Sequence, residues 1–168
     1  MEDKTKAFII QQILPKLEKY CAFQERSIFD AKQKLLRLGV EKQYWQEIIS
    51  RLQNSNFINE ERFVELFIRS KINQRSWGPV KITLELKRRG IDSGLIEQFS
   101  HMLKTENQHE LLGNLLRKKL KSVSDDDVRL QREKLIRFAI SKGYETSAVF
   151  KAVDKLLKSN SSDFEEYA

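Results

Sequence analysis

Basic side chains are the residues of this sequence whose number and spacing most clearly predict binding chemistry. The chain of 168 residues holds 31 Lys and Arg against 24 Asp and Glu, a formal net charge of +7. Between Arg69 and Gly90, seven cations accompany a single acid, Glu85. Such a cluster would bind phosphate oxygens or an acidic protein surface. Its cations are Arg69, Lys71, Arg75, Lys81, Lys87, Arg88 and Arg89.

A second basic cluster follows later in the chain, at Arg117, Lys118 and Lys119. It has an alternative explanation, because cations near the C-terminus of a helix interact favourably with the helix dipole. Exposed Lys and Arg side chains are also ordinary on any helix in contact with water. Both clusters therefore have two interpretations, a binding surface and a solvated helix face. The first cluster is the better candidate for a binding surface.

The other reactive side chains do not form a recognisable catalytic or metal site. His101 and His109 lie eight residues apart across a predicted helix boundary, a poor spacing for two ligands of one metal. Cys21 is the single cysteine, and we expect it to be a small core residue. The acids at 125–127 suit the N-terminus of a helix. No phosphate-binding loop, dinucleotide fingerprint or zinc-protease motif is present. We expect a binding protein without enzyme activity, cofactor or metal.

Three glycines in the same local setting reveal an internal repeat. Gly39, Gly90 and Gly143 each follow a predicted helix, and their separations are 51 and 53 residues. When the chain is aligned on these offsets, apolar residues coincide before and after each glycine, which predicts a threefold repeat of about fifty residues. The coinciding sets are Ala31, Ile82 and Leu135; Leu35, Leu86 and Ala139; Tyr44, Leu95 and Ala148; Trp45, Ile96 and Val149; Ile48, Phe99 and Ala152; and Leu52, Leu103 and Leu156.

Each repeat is predicted to contain three helices, A, B and C, with the glycine between B and C. Helix C of the first repeat has apolar residues at positions 45, 48, 49 and 52, the spacing of one buried stripe. The glycine fits the left-handed position after helix B, and helix A is predicted at 15–25, 60–75 and 106–121. Helix B begins at a capping signal in each copy. These signals are Ser27 with Asp30, Gly78 with Pro79, and Ser124 with Asp127.

The sequence therefore predicts an all-α protein of three tandem three-helix repeats in an elongated, curved array. We expect an N-terminal helical extension and repeat 1 at 1–56, repeat 2 at 57–104, repeat 3 at 105–158 and an acidic tail at 159–168. The 6 Gly and 2 Pro are too few for the turns of a sandwich or barrel. No apolar run approaches the roughly 18 residues of a membrane helix, and no secretory signal is visible. We expect a cytoplasmic monomer that does not bind membranes.

The predicted second repeat contains three segments with a familiar spacing. They are FINEERF at 57–63, WGPVKI at 77–82 and ELKRRGI at 85–91. In these segments the chain resembles the RecX family, bacterial regulators of the RecA recombinase. The flanking copies at 27–39 and 131–143 are also similar to the family, so that the likeness covers about residues 15–157. Asn59 stands where the family more often has Asp, and because both residues cap helices well the difference puts little in doubt.

The resemblance implies an all-α regulator, built from tandem three-helix repeats, that binds lengthwise in the groove of RecA–DNA filaments. RecX proteins suppress ATP hydrolysis and strand exchange by RecA, and they belong to DNA repair, homologous recombination and the SOS response. Some also bind DNA, so the resemblance implies the RecA filament as partner and allows single- or double-stranded DNA at the basic face. It adds Arg62 to the candidate residues for RecA or DNA binding. Mainly structural roles are implied for the motif residues Phe63, Trp77, Gly78, Pro79, Ile82, Leu86 and Gly90.

Two other functions are compatible with a basic helical protein of this kind. A sequence-independent nucleic-acid-binding module would need no protein partner, and its affinity would fall with salt according to the number of ion pairs formed. A helix-turn-helix reader of the major groove is disfavoured, because helix C of the second repeat is its acidic helix.

Trp77 also has two interpretations. It either covers the start of helix B as a structural residue, which we favour, or it is an exposed anchor at an interface.

Lys81 and Arg88 are predicted to share one face of helix B, opposite the buried residues Ile82 and Leu86. With Arg69 they would form the binding face. Reversing these three charges together should weaken inhibition of RecA. It should leave the melting temperature nearly unchanged, because isolated surface ion pairs contribute only about 0–1 kcal/mol.

Overall fold

The fold is all-α, as predicted, in a computed structural model that describes residues 2–104, 107–123 and 127–165. These residues form ten α-helices and one 3₁₀ turn (Lys42–Tyr44), and no β-strand occurs among them. None of the described helices combines the length and the apolar character that a membrane span requires. The helices are α1 (Glu2–Phe23), α2 (Ile28–Arg37), α3 (Trp45–Asn54), α4 (Glu60–Arg75), α5 (Pro79–Arg88), α6 (Ser93–Gln98), α7 (Ser100–Leu103), α8 (Asn107–Leu120), α9 (Val128–Ser141) and α10 (Thr146–Glu165).

The helices follow the three predicted repeats, each with a glycine turn after its helix B. Helices α1 to α3 form repeat 1, α4 to α7 form repeat 2, and α8 to α10 form repeat 3. Gly39, Gly90 and Gly143 have φ values of 69°, 74° and 89°. Residues with a Cβ enter this left-handed region at a cost, which explains why glycine follows helix B in every repeat.

The apolar positions that coincide between repeats are core positions. All six coinciding residues on the B helices α2, α5 and α9 have 0% exposure. Full burial of an aliphatic side chain stabilises a fold by about 1.5–3 kcal/mol, so the repeated sequence pattern is a repeated pattern of core packing. The six residues are Ala31, Leu35, Ile82, Leu86, Leu135 and Ala139.

The chain divides into two compact units. Unit 1 contains the chain up to Phe67 together with Leu86–Leu95, and unit 2 contains Ile68–Glu85 together with the chain from Ile96 onward. Repeat 2 contributes to both units, because α4 and α5 each supply one part to unit 1 and another part to unit 2. The domain bounds predicted from the repeat stay a prediction.

Two predicted helices differ in the structure. Helix α1 begins at Glu2 rather than at residue 15, and it carries Pro15 in its interior. A proline inside a helix removes one backbone hydrogen bond, but Ile10 and Leu17 on either side of it are 3% and 0% exposed. Burial of these side chains holds the helix together across the proline. Helix C of repeat 2 is not continuous, because it breaks at Phe99 into α6 and α7.

Side-chain caps explain where two of the B helices begin. The Asp30 N–H donates to Ser27 Oγ at 3.2 Å, and the Ser27 N–H donates to Asp30 Oδ2 at 3.1 Å, which confirms the predicted capping box. In repeat 3 the N-cap is Asp127, whose carboxylate accepts from the Arg129 N–H at 2.8 Å. The predicted capping box of Ser124 with Asp127 is wrong for α9, because Asp127 is its N-cap and not a residue of its first turn. Ser124 itself lies outside the described residues.

Candidate binding surface

The turn between α4 and α5 positions Trp77, the centre of the candidate surface. Helix α4 ends at Arg75, and Ser76 adopts a left-handed conformation with φ 51°. The backbone N–H of Trp77 donates to the carbonyl oxygen of Lys71 at 3.1 Å, which closes the end of α4. Helix α5 then begins at Pro79, as predicted. Backbone hydrogen bonds thus fix the turn, and the Trp77 side chain is half-buried.

Two lysines lie over the Trp77 ring. The Lys71 Nζ atom is 5.0 Å from the ring centroid, and the Lys81 Nζ atom is 4.7 Å from it. Both distances are within the cation–π range of about 6 Å, and the indole is the aromatic group that attracts cations most strongly. Because the lysines come from α4 and α5, the ring gathers positive charge from two helices at one place.

The start of α5 is bonded to the end of α9 within unit 2. The Gly78 N–H donates to the Lys142 carbonyl oxygen at 2.8 Å, and the Val80 N–H donates to the Gly143 carbonyl oxygen at 3.0 Å. The first N–H groups and last carbonyl groups of a helix lack partners within that helix, so the two helix ends satisfy each other. Their partial charges are opposite, which adds an electrostatic attraction. We call this contact the α5–α9 joint.

The joint brings two backbone segments so close that each position requires glycine. A methyl group at Gly78 would overlap the carbonyl group of Gly143, and a methyl group at Gly143 would overlap the backbone and Cβ of Lys81. The predicted role of Gly143 after a helix agrees with its φ value. The contact between the two glycines is a second role, and the sequence analysis missed it because it joins residues 65 positions apart.

Two lysines reinforce the joint. The Lys81 Nζ atom donates to the Ser141 carbonyl oxygen at 3.1 Å, and the Lys142 Nζ atom donates to the Arg75 carbonyl oxygen at 3.1 Å. Each lysine thus caps the C-terminus of a helix to which it does not belong, a favourable position for a cation. The prediction that Lys81 lies on an exposed face holds only in part, because contacts with Trp77 and Ser141 leave its side chain half-buried.

These contacts define the candidate surface, which we call the Trp77 surface: Lys71, Arg75, Trp77, Lys81 and Lys142. It contains four cations from α4, α5 and the turn after α9, all within unit 2. Four of the five residues were predicted from the sequence, and Lys142 was not. A signal for Lys142 was available, since it precedes the glycine turn of repeat 3 exactly as the basic residue at position 89 precedes the turn of repeat 2.

One cation of the second predicted cluster adjoins the Trp77 surface. The Nζ atoms of Lys119 and Lys142 lie 5.2 Å and 5.6 Å from the centroid of the Phe138 ring. The shared ring places these two cations in one neighbourhood of unit 2. In the same cluster, the guanidinium of Arg117 donates to Asn114 Oδ1 at 2.7 Å.

Arg62 and Arg89 are candidate binding residues with contacts inside unit 1. The Arg62 Nε atom lies 2.5 Å from Glu25 Oε1, an ion pair between repeats 2 and 1. The Arg89 Nη1 atom lies 3.9 Å from Asp30 Oδ1, and its guanidinium lies 6.0 Å from the centroid of the Phe29 ring. Because both charges have partners within the protein, these two arginines stabilise the packing of unit 1 in addition to being candidates for binding.

The remaining predicted cations are exposed and occur in both units. Lys87 and Arg88 belong to unit 1, whereas the others belong to unit 2. The exposed set is Arg69, Lys87, Arg88, Arg117 and Lys118. Among the motif residues, Phe63, Ile82 and Leu86 are buried at 6%, 0% and 0% exposure, and the structural roles that the family resemblance implies for them stay a prediction.

The potential nucleophile and metal ligands do not assemble into a reactive site. Cys21 is buried in the core of unit 1, and burial raises the pKa of its thiol to about 11. His101 and His109 are exposed and lie on separate helices, α7 and α8. Within the described part of the chain, no three His, Cys, Asp or Glu residues group so that they could hold a metal ion. The Trp77 surface offers cationic groups and an aromatic ring.

Comparison with known proteins connects this surface to one family. A family model described as "RecX, second three-helix domain" matches residues 59–98, a range that contains Trp77. The regulatory protein RecX of Oceanobacillus iheyensis is 26% identical over 146 residues, which are 87% of this chain and 54% of the relative. The regulatory protein RecX of Clostridium tetani is 30% identical over 138 residues, which are 81% of this chain and 62% of the relative.

A solved structure extends the likeness to the fold. The crystal structure of RecX from Lactobacillus salivarius superposes with a TM-score of 0.72 and 26% sequence identity, and the match covers 89% of this chain and 97% of that one. The chain spans between about half and two thirds of the length of the two relatives compared by sequence.

Proposed function

Because the chain belongs to the RecX family, we propose that it regulates the RecA recombinase by binding the RecA–DNA filament and inhibiting its ATP hydrolysis and strand exchange. It would act without catalysis of its own, through contacts with protein and phosphate. The observation that carries the proposal is the convergence of Lys71 and Lys81 on the Trp77 ring. Trp, Arg and clustered cations are the groups on which protein and phosphate partners most often depend.

The charges of the Trp77 surface support an anionic partner. Its residues include no acid, and Arg75 at the end of α4 is exposed. Lys81 and Lys142 each use one N–H donor on a carbonyl oxygen, and an ammonium group has three donors. Both lysines thus keep donors for a carboxylate or phosphate oxygen of a partner.

The test is RecA-catalysed ATP hydrolysis on single-stranded DNA, with this protein added in substoichiometric amounts. Wild type should inhibit hydrolysis. The double variant Lys71→Glu/Arg75→Glu should need at least about tenfold more protein for half-inhibition at low salt, because like charges then oppose the partner. The difference should shrink as salt rises, since mobile ions screen exposed charges.

A matched control makes the same change in net charge on α1, away from the Trp77 surface in sequence. Lys16 and Lys19 are exposed on α1 in unit 1, and Lys16→Glu/Lys19→Glu should inhibit as well as wild type. Equal inhibition by the Trp77-surface variant across the salt range would reject this surface as the binding face. The cluster Arg117, Lys118 and Lys119 would then be the next set to reverse.

One observation favours a second function, binding of nucleic acid without a protein partner. Proteins that bind single strands combine cations with aromatic side chains on which bases stack, and the Trp77 surface offers both. Titration of a fluorescent oligo-dT with the protein alone distinguishes the two functions. Tight binding with a steep dependence on salt, together with no inhibition of RecA beyond loss of free DNA, would favour the nucleic-acid module.

A further inference from the structure

A groove in unit 2 is the basis of a second inference. It shares no residue with the Trp77 surface. It lies between α8 and α10 and has a volume of about 520 Å³. Its half-buried lining consists of small or apolar residues, and its exposed rim is charged. The half-buried residues used below are Gly113, Ala148, Ala152 and Leu156, and the exposed cations are Arg117, Lys151 and Lys155.

The fold itself does not require glycine at position 113. Gly113 lies inside α8, and it is not among the described glycines with a positive φ. The atoms nearest to a methyl group there would be those of the Arg117 guanidinium, at 3.6–3.9 Å, which is ordinary contact. Glycine at this position costs stability relative to alanine, and it leaves the α8 backbone without a side chain where it lines the groove. A group from outside the chain can therefore approach the backbone of α8.

The rim of the groove has a charge pattern that suits an acidic occupant. Lys151 and Lys155 are four residues apart and therefore lie on one side of α10. Arg117 supplies a third cation from α8, and Glu110 is the acid in the lining. Acidic side chains spaced three or four residues apart on a helix would lie opposite this row of cations.

We propose that the groove between α8 and α10 binds an acidic amphipathic helix of a partner protein. The apolar side of that helix would pack on Gly113, Ala148 and Ala152, and its carboxylates would pair with Lys151 and Lys155. This is the helix-in-groove mode of recognition. A single nucleic-acid strand fits less well, because successive bases stack on a series of aromatic side chains and the described lining offers the His109 ring alone. The inference does not depend on the proposed action on RecA.

The probe is an 18-residue peptide, labelled with fluorescein, that is helical and carries Ala and Leu on one side and Glu pairs at i, i+4 on the other. Its binding to the full chain is followed by fluorescence anisotropy at low salt, without RecA. Lys151→Glu/Lys155→Glu should weaken binding at least tenfold, and so should Gly113→Leu, which fills the groove. The control Lys16→Glu/Lys19→Glu should bind like wild type, and circular dichroism checks that each variant is folded.

Nuclear magnetic resonance gives a readout at the groove itself. In an ¹⁵N-labelled protein, the Gly113 amide signal should shift as the peptide is added, while the Gly39 amide in unit 1 should stay in place. A stationary Gly113 signal at saturating peptide, or undiminished binding by the rim variant, overturns the proposal. It is also overturned if oligo-dT displaces the peptide and shifts Gly113 at lower concentration, or if wild type forms a dimer that Gly113→Leu abolishes. The first of these two results assigns the groove to nucleic acid, and the second assigns it to another copy of the chain.

Discussion

Trp77 is held by its own repeat, since its backbone N–H bonds to Lys71 and two ammonium groups lie over its ring. We therefore expect Trp77→Ala to lower stability by about 2 kcal/mol, through lost packing and lost cation–π contacts. For a chain of this size that corresponds to a fall in melting temperature of roughly 4–8 °C.

Thermal unfolding followed by circular dichroism checks this expectation, with inhibition of RecA assayed in parallel. Trp77→Phe is the matched variant, because it keeps an aromatic ring on the same turn and should lose less stability. An unchanged melting temperature combined with lost inhibition would instead identify Trp77 as an anchor at the interface with a partner.

Cys21 is the second residue whose surroundings predict its behaviour. Burial raises the pKa of its thiol to about 11, and only the thiolate is nucleophilic. At pH 7.5 roughly three molecules in ten thousand would carry the thiolate. Reaction with a thiol reagent should therefore be slow in the folded protein, and it should speed up when guanidinium unfolds the chain. Rapid labelling of the folded protein at neutral pH would show that the thiol is accessible and reactive.

Among the helices and turns, glycine is required for two different reasons, a left-handed backbone and the close backbone contact at the α5–α9 joint. Gly39 and Gly143 both have positive φ, but a methyl group at Gly39 would meet nothing within 4 Å, whereas one at Gly143 would overlap Lys81. Gly39→Ala should cost about 1–2 kcal/mol, the strain of a left-handed residue with a Cβ. Gly143→Ala should cost about 1–3 kcal/mol more, because the joint must also shift.

Urea unfolding of the two variants measures the difference directly. Gly90→Ala is a further control, since Gly90 has a φ of 74° and open space around it, and it should behave like Gly39→Ala. Equal losses of stability in all three variants would mean that the contact between Gly78 and Gly143 contributes nothing beyond local backbone strain.

Across the whole molecule, the B helices of successive repeats are in contact within each compact unit. In unit 1, Arg89 contacts Asp30 at the start of α2. In unit 2, the equivalent residue Lys142 accepts a hydrogen bond from Gly78 at the start of α5. The residue before one glycine turn thus meets the start of helix B of the preceding repeat in both cases, as expected when repeats stack on their neighbours.

The tandem repeat in the sequence predicts an elongated array. Small-angle X-ray scattering should give a radius of gyration clearly above the roughly 15 Å that compact domains of this length have. A value near that of a compact domain would mean that the repeats fold back into one bundle, and binding along a filament groove would then lose its structural basis.

Features that depend on neighbours along the chain could be predicted from the sequence. The helical period located the buried residues of α2, α5 and α9, and the capping pattern located Ser27 with Asp30 at the start of α2. These features are local because helix geometry fixes which residues share a face, and caps act within one turn. The same reasoning named four of the five residues of the Trp77 surface.

Features that join distant parts of the chain became visible in the three-dimensional structure. It showed Lys142 at the Trp77 surface, Lys81 half-buried against Ser141, and the close approach of Gly78 to Gly143. It also extended α1 across Pro15, where core burial outweighs the lost hydrogen bond. A helical period tells which face of a helix is apolar, but it does not tell which helix end lies beside the polar face. The helix end that packs there depends on the packing free energy of whole repeats, which one segment of the sequence does not specify.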